Sequence, residues 1–287
     1  MIKKSTFLHL RIPFSYFLLP VFLFALGNSP ETDWINTGLS FIIVHFLLYP
    51  ATNSYNSYFD KDEKSIGILK NPPPVDKELY RISIWLDIIA MTLGLIINIY
   101  FSLMLFIYGL ASKAYSHPKI RLKKYPFISW VVAGFFQGFF TYLIFILAIG
   151  GLQPGELLND KILFPAVLCT LLLWGSYPLT QVYQHEEDLN RGDITLSIKL
   201  GIKGTFLFST LVFMIANGSF LVYFLREGNP IYAILFEIVL IPMAVYFIQW
   251  FLKVLKNPLN ADYRRTMNMN LISSTCLNIF FLIQIIS

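Results

Sequence analysis

The chain has 287 residues, of which 56% are hydrophobic and only 14% charged, with 27 Phe and 16 Tyr and a mean hydropathy of +0.61. A soluble globular domain carries roughly a quarter charged residues, so this balance excludes a water-soluble enzyme, and the apolar content excludes disorder. The net charge of +5 does not mark a nucleic-acid partner, because nearly all the charges lie between apolar runs, the distribution of a multi-pass membrane protein.

The fold class this implies is all-α: one transmembrane domain over residues 1–287, with nine helices bundled around a central cavity. Crossing a hydrocarbon core of about 30 Å takes roughly 17 to 25 apolar residues. In chain order the spans are expected at 12–26, 35–58, 82–97, 99–114, 127–149, 162–183, 205–225, 231–255 and 267–286. The first follows Lys3 and Lys4, but Asn28-Ser29-Pro30 lacks a small-x-small cleavage pattern, so it reads as a retained helix and not a signal peptide. The third and fourth are short and nearly contiguous around Asn98, which predicts a tight helical hairpin. Cys169 and Cys276 lie inside apolar runs, away from other ligand-type residues, and read as small core residues.

Cytoplasmic loops of membrane proteins collect Lys and Arg. Nine spans put Lys3 and Lys4, Lys61 to Arg81, Lys113 to Lys124, Arg191 to Lys203 and Lys253 to Arg265 on one side. The other side keeps only Lys161 and Arg226 among several acids. This pattern places the N-terminus and the basic loops in the cytoplasm and the C-terminus outside.

Two loops on the basic side carry acids and amides that continue out of an apolar helix. In the first, Asn53, Asn56, Asp60 and Glu63 fall at steps of three, four and three, so a continuous helix puts all four on one face. In the second, Gln181, Gln184 and Asp188 share a face, with Glu187 beside them and Tyr183 one turn before Glu187. Polar stripes are costly against lipid and normally line a cavity or pair with another helix; the plainer reading of each is a solvated helix end with one interhelical amide contact. Carboxylates from two helices around one cavity are hard oxygen ligands, suited to Mg²⁺, which takes one or two carboxylates with water and phosphate oxygens. A third cluster, His117, Lys119, Arg121, Lys123 and Lys124, supplies positive charge on the same side. It reads either as a phosphate contact or as the usual polybasic loop beside anionic lipid.

These motifs together resemble the UbiA-type intramembrane prenyltransferases, nine-helix enzymes that join an isoprenoid diphosphate to a lipophilic acceptor. The family's Asn-Asp-x-x-Asp-x-x-x-Asp is matched by Asn56 and Asp60, with Ser57 and Lys64 where acids are usual. Its later Asp-x-x-Asp-x-x-x-Asp, followed by Thr and Gly, looks like Gln181, Gln184, Asp188, Thr195 and Gly201, with only the last acid kept. Lys70-Asn71-Pro72 stands where the family has Arg-Pro. The loop from Tyr115 to Lys123 is similar to that of members that prenylate chlorophyll and tocopherol precursors, which implies a cyclic or aromatic acceptor and a place in quinone or pigment biosynthesis.

The resemblance implies a polyprenyl diphosphate donor, an acceptor arriving from the lipid phase, membrane lipid as surroundings, and Mg²⁺ as cofactor. Asp60 and Asp188 are the implied metal ligands and catalytic acids, assisted by Asn56, Gln184, Glu187, Glu63 and Asp62. Asn53, Asn56, Gln184, Lys70, Lys119 and Arg121 are the implied substrate contacts. Tyr115, Tyr183 and Phe59 offer ring faces to an allylic cation, and His117, His185 and Glu187 are candidate bases. The competing reading is a transporter or ion pathway, prompted by helix-interrupting Gly94, Pro165, Pro178 and Pro242 and by Asp87 and Glu237 within spans. A CDP-alcohol phosphotransferase is disfavoured because its Asp-Gly-x-x-Ala-Arg motif is absent.

Overall fold

The computed structural model describes residues 2–287, and among them there is no β-strand beyond an isolated bridge between Ile66 and Leu69. Ten helices carry the fold: α1 (Lys4–Gly27), α2 (Trp34–Asp60), α3 (Lys77–Ile97), α4 (Ile99–Ser116), α5 (Pro126–Ile149), α6 (Asp160–Gln181), the short α7 (His185–Arg191), α8 (Leu196–Arg226), α9 (Pro230–Lys256) and α10 (Tyr263–Ile286). Eight of them are long and apolar enough to cross a membrane. The fourth expected span, α4, is present as an 18-residue helix but falls outside that set; it ends in the polar run Ser-Lys-Ala-Tyr-Ser. The chain is an integral, multi-pass, all-α membrane protein.

Side chains fix where the helices start. Asp33, Asp76, Asn98, Asn159, Thr195 and Asp262 each accept a backbone N–H of the following first turn, satisfying donors that a helix start leaves free. Asn98 serves twice: it ends α3 in an extended conformation and accepts the Phe101 N–H at 2.7 Å to start α4, which makes the expected hairpin. Several starts lie earlier than hydropathy predicts, α8 most of all. Its first turns, Leu196 to Gly204, carry Lys199 and Lys203 and are continued past a kink at Gly201 (φ 68°).

Lipid cannot drive helices together by the hydrophobic effect, so packing and close backbone approach do it. Aromatic rings fill the end of the bundle remote from the loops: Phe24 stacks on Phe281 at 4.6 Å and Phe220 on Phe236 at 4.7 Å, joining α1, α8, α9 and α10. Between α5 and α6 the contact is backbone to backbone. A widened turn over Phe135–Phe140 leaves the Phe139 N–H to the Thr170 hydroxyl at 2.9 Å, and a Cβ at Gly138 would lie 2.7 Å from the Thr170 backbone. Outward-facing Trp85, Leu103, Met214, Ile238 and Ile248 form the lipid surface.

Two acids within the spans find partners. Asp87 on α3 pairs with Lys113 of α4, a lysine the hydropathy reading assigns to a loop, and Glu237 on α9 accepts from the Asn217 amide at 2.7 Å. Cys169 and Cys276 are buried free thiols, as expected of core residues.

Gly138→Ala should lower stability by about 1 to 3 kcal/mol through overpacking of the α5–α6 contact. Gly38→Ala on α2, where nothing lies within 4 Å of the added carbon, should be neutral or gain a few tenths. Thermal unfolding in detergent distinguishes the two.

Candidate active site at the polar end of the bundle

The three loops that carry the sequence motifs meet at one end of the bundle. The α2–α3 loop is tied to α7 by the Glu187 carboxylate, which accepts the N–H groups of Glu63 and Lys64, both at 2.9 Å. It is tied to α1 by His9, whose Nε2 lies 2.7 Å from the Pro73 carbonyl. The α4–α5 loop reaches the segment after α7 through Arg121, which donates to both oxygens of Asp193 at 2.7 Å.

Beneath these ties lies a cavity of about 220 Å³. Asp60, Asp62, Asp188 and Asp193 all line it, and buried acids persist only when paired. Three cations supply the pairing. Lys123 donates to Asp60. Arg191 donates to Asp62 and, at 2.7 Å, to Asp188; it also reaches the Asp60 carbonyl at 3.4 Å. Arg121 holds Asp193 and approaches Asp60 at 3.6 Å. One arginine thus bridges the ends of α2 and α7, so the two acidic motifs share a chamber.

Local backbone chemistry sets this arrangement. Lys61 is left-handed (φ 51°) and ends α2 at Asp60, turning the chain so that Asp62 rejoins the cavity. Glu63 therefore leaves the stripe predicted for a continuous helix and is exposed in the loop. The second motif is broken as well: α6 tightens into a 3₁₀ turn over Tyr177–Gln181, with Pro178 at its start, and α7 begins afresh at His185. Gly192 (φ 77°) closes α7 and lets the Asp193 N–H return to the Asp188 carbonyl at 2.9 Å, a glycine-dependent cap that delivers Asp193 to Arg121.

Of the residues singled out from sequence, Asn53, Asn56, Asp60, Tyr115, Tyr183, Gln184 and Asp188 line the cavity. Asn56 Oδ1 already accepts from the Ser116 hydroxyl at 2.8 Å, and Tyr183 OH accepts the Gly67 N–H at 3.2 Å. Tyr115 and Tyr177 meet hydroxyl to hydroxyl. Arg121 stands behind the wall on Asp193 and Asp60. Glu63, Lys70 and Lys119 are exposed and do not line the cavity; Glu187 does not line it either, its carboxylate being spent on loop N–H groups. Phe59 lies off it too, packed at an angle on Tyr55 and edge-to-face with Tyr80. Among the candidate bases, His185 is held by Ser197 at 2.7 Å, and neither it nor His117 lines the cavity. Lys123, of the basic cluster, lines the cavity, and Asp193, Arg191 and Arg11 belong to its wall without having been singled out as site residues. Two signals stand in the sequence: Gly192 before Asp193, and Arg191 one turn after Asp188.

The UbiA prenyltransferase family matches residues 17–272. The chain belongs to that family. A relative from Methanocaldococcus jannaschii, a digeranylgeranylglyceryl phosphate synthase, is 29% identical over 225 residues, 75% of this chain and 73% of its own length. Among solved structures, a UbiA homologue from Aeropyrum pernix superposes with a TM-score of 0.73 at 18% identity, over 95% of this chain and 98% of that one. One from Archaeoglobus fulgidus bound to GPP and Mg²⁺ superposes at 0.70 and 17%, over 99% and 100%.

Where this family member departs from the acidic motifs, its side chains are otherwise engaged. Lys64 pairs with Glu186 at 2.5 Å, and Gln181 accepts the Ser197 N–H at 3.3 Å from a buried position. No three His, Cys, Asp or Glu side chains among the described residues converge to enclose a metal. A cation shared by Asp60 and Asp188 would fill its remaining positions with water or phosphate oxygens, a donor set that fits Mg²⁺.

Burial pushes the Asp188 carboxyl up to about 6, against the opposing pull of Arg191. Arg191 is drawn down by burial yet held above its ordinary value by Asp62 and Asp60. Because the folded-state value of Asp188 lies above the unfolded 3.8, the fold binds this proton more tightly than the unfolded chain does. In metal-free buffer its contribution should therefore rise on acidification through about pH 6 and be lost as pH rises. The thermal midpoint should show this slope in the parent and not in Asp188→Asn.

Proposed function

We propose that the chain is a prenyltransferase working inside the membrane, moving an isoprenoid group from a polyprenyl diphosphate to a lipophilic acceptor with Mg²⁺ as cofactor. The observation that carries this is a pair of adjoining cavities, one lined by four carboxylates and the other mostly apolar. The acid-lined chamber shares Phe14, Gln137, Tyr177, Thr180 and Asn270 with a second, mostly apolar cavity of about 170 Å³. That second cavity runs between α1, α6 and α10, past Val21, Leu173 and Phe281. A diphosphate head and a hydrocarbon tail need that pair of environments side by side. The Mg²⁺ and GPP bound by the Archaeoglobus homologue support the same assignment.

In this reading Asp60 and Asp188 hold the cation, with Asn56 and Gln184 positioned to orient it or the diphosphate. Mg²⁺, when bound, supplies Lewis acidity to the departing diphosphate. Lys123, Arg191 and Arg121, which hold the cavity's acids, sit where they can neutralise charge on the leaving oxygens. The allylic C–O bond breaks with its electron pair staying on the diphosphate. Tyr115, Tyr177 and Phe136 line the polar cavity and present ring faces to the cation left behind. Burial among helices keeps out the water that would capture it. The acceptor then supplies the pair for the new bond and loses a proton. The Tyr115-Ser116-His117-Pro118 loop favours a cyclic or aromatic acceptor; the Methanocaldococcus relative is named for a glyceryl phosphate, and both classes belong in the assay. The basic loops are taken to face the cytoplasm on charge distribution. A transporter is disfavoured because Asp87 and Glu237, the acids that prompted it, are engaged by Lys113 and Asn217.

Purified protein given a radiolabelled prenyl diphosphate and Mg²⁺ should release diphosphate. Asp60→Asn and Asp188→Asn should each slow release on the order of 100-fold or more, while Glu63→Gln and Lys119→Gln, both off the cavity, stay within about twofold. Unchanged release in both aspartate variants would remove their proposed roles.

A further inference from the structure

Arg11 differs from the other cations buried at the polar end. Lys123, Arg121 and Arg191 each hold a carboxylate; Arg11 takes part in no ion pair, although it is only 7% exposed and lines the same cavity. Its Nη2 donates to the Asn53 carbonyl at 3.2 Å, while Nε is buried without a partner. A guanidinium carries five donors, and most of these are unused.

The surroundings keep it so. Arg11 sits where α1 breaks, in the left-handed region at φ 47° and ψ 40°, a conformation that costs a non-glycine residue roughly 1 to 2 kcal/mol. The guanidinium carbon lies 5.7 Å from the centre of the Phe14 ring. Gly67 passes beside it: a Cβ there would stand 3.0 Å from Nη1. Strained backbone, a stacking ring and a side-chain-free neighbour hold a charged fork at the cavity wall with no counter-ion in contact. A buried charge without a partner is among the costliest features a fold can keep, and a ligand that brings the opposite charge removes that cost.

We propose that Arg11 is an anion-binding residue of the cavity, its planar fork taking phosphoryl oxygens of a substrate. The prenyl-diphosphate reading supplies the identity of the anion; the unpaired guanidinium supplies the site. The oxygens come from the donor diphosphate or from a phosphate headgroup on the acceptor, and the chemistry at Arg11 is the same for both.

The test is binding to the full chain in detergent, by calorimetry and thermal midpoint, with inorganic pyrophosphate plus Mg²⁺ and, separately, with glycerol 1-phosphate. The parent should bind at least one of them. Arg11→Gln should weaken that binding about tenfold or more, the scale of one lost charge-assisted hydrogen bond, with an unliganded midpoint equal to or above the parent's because an uncompensated charge is gone. Arg11→Lys, which keeps charge without the fork, should retain part of the affinity. Loss toward pyrophosphate assigns the donor, and loss toward glycerol 1-phosphate assigns the acceptor. Parent-like affinity for both probes in Arg11→Gln and Arg11→Lys, or a parent that binds neither, overturns the proposal. Failure of the prenyltransferase reading shows differently: the parent releases no diphosphate from any prenyl donor, yet its Arg11-dependent anion binding remains.

Discussion

Four carboxylates in one small chamber repel each other, and in a low-dielectric bundle that repulsion is worth several kcal/mol per close pair. The polar end of this protein exists because Lys123, Arg121 and Arg191 answer it. The three cations come from the α4–α5 loop and from the end of α7, and the acids they hold come from the end of α2 and from the segment around α7. All but the Arg191–Asp188 pair, which lies within α7, are therefore also ties between segments. The chamber and the closure of the bundle at this end are one interaction network.

Hydropathy and charge counts carried most of the fold. Long apolar runs give α2, α5, α6, α9 and α10 almost to the residue, because a lipid-facing helix must be apolar along its length. The method fails where a helix leaves the lipid. The first turns of α8 and of α3 are polar, and the end of α4 carries Lys113. That lysine reads as a loop residue until Asp87 is seen to hold it within the bundle. A buried pair looks, residue by residue, like two solvated charges.

The site was legible at its acids and illegible at its turns. Helical spacing from Asn53 to Asp60 is sound because α2 runs through it; it fails at Glu63 because Lys61 goes left-handed, which no propensity assigns to lysine. Helical spacing from Gln181 to Asp188 fails because Pro178 tightens the chain and α7 restarts, so Gln181 turns to Ser197 while Asp188 turns to Arg191. Arg11 is the extreme case. Nothing in its neighbours announces a left-handed arginine, and only the loop folded over α1 through His9 and Pro73 makes its burial apparent.

The missing acids of the family motifs have a physical correlate in this balance. Gln181 is buried and accepts the Ser197 N–H; a carboxylate there would add a fifth negative charge to a chamber whose three paired cations are already shared among four acids. Lys64 lies outside, on Glu186, where an acid would face another acid across the same surface. An amide at 181 and a lysine at 64 thus keep the charge of the site near what Lys123, Arg121 and Arg191 balance. Asp60 and Asp188, held by Lys123 and Arg191, are the two acids that the proposed function assigns to a divalent cation. Mg²⁺ is commonly held by one or two carboxylates with phosphate oxygens and water completing its shell, and the proposed pair meets that number.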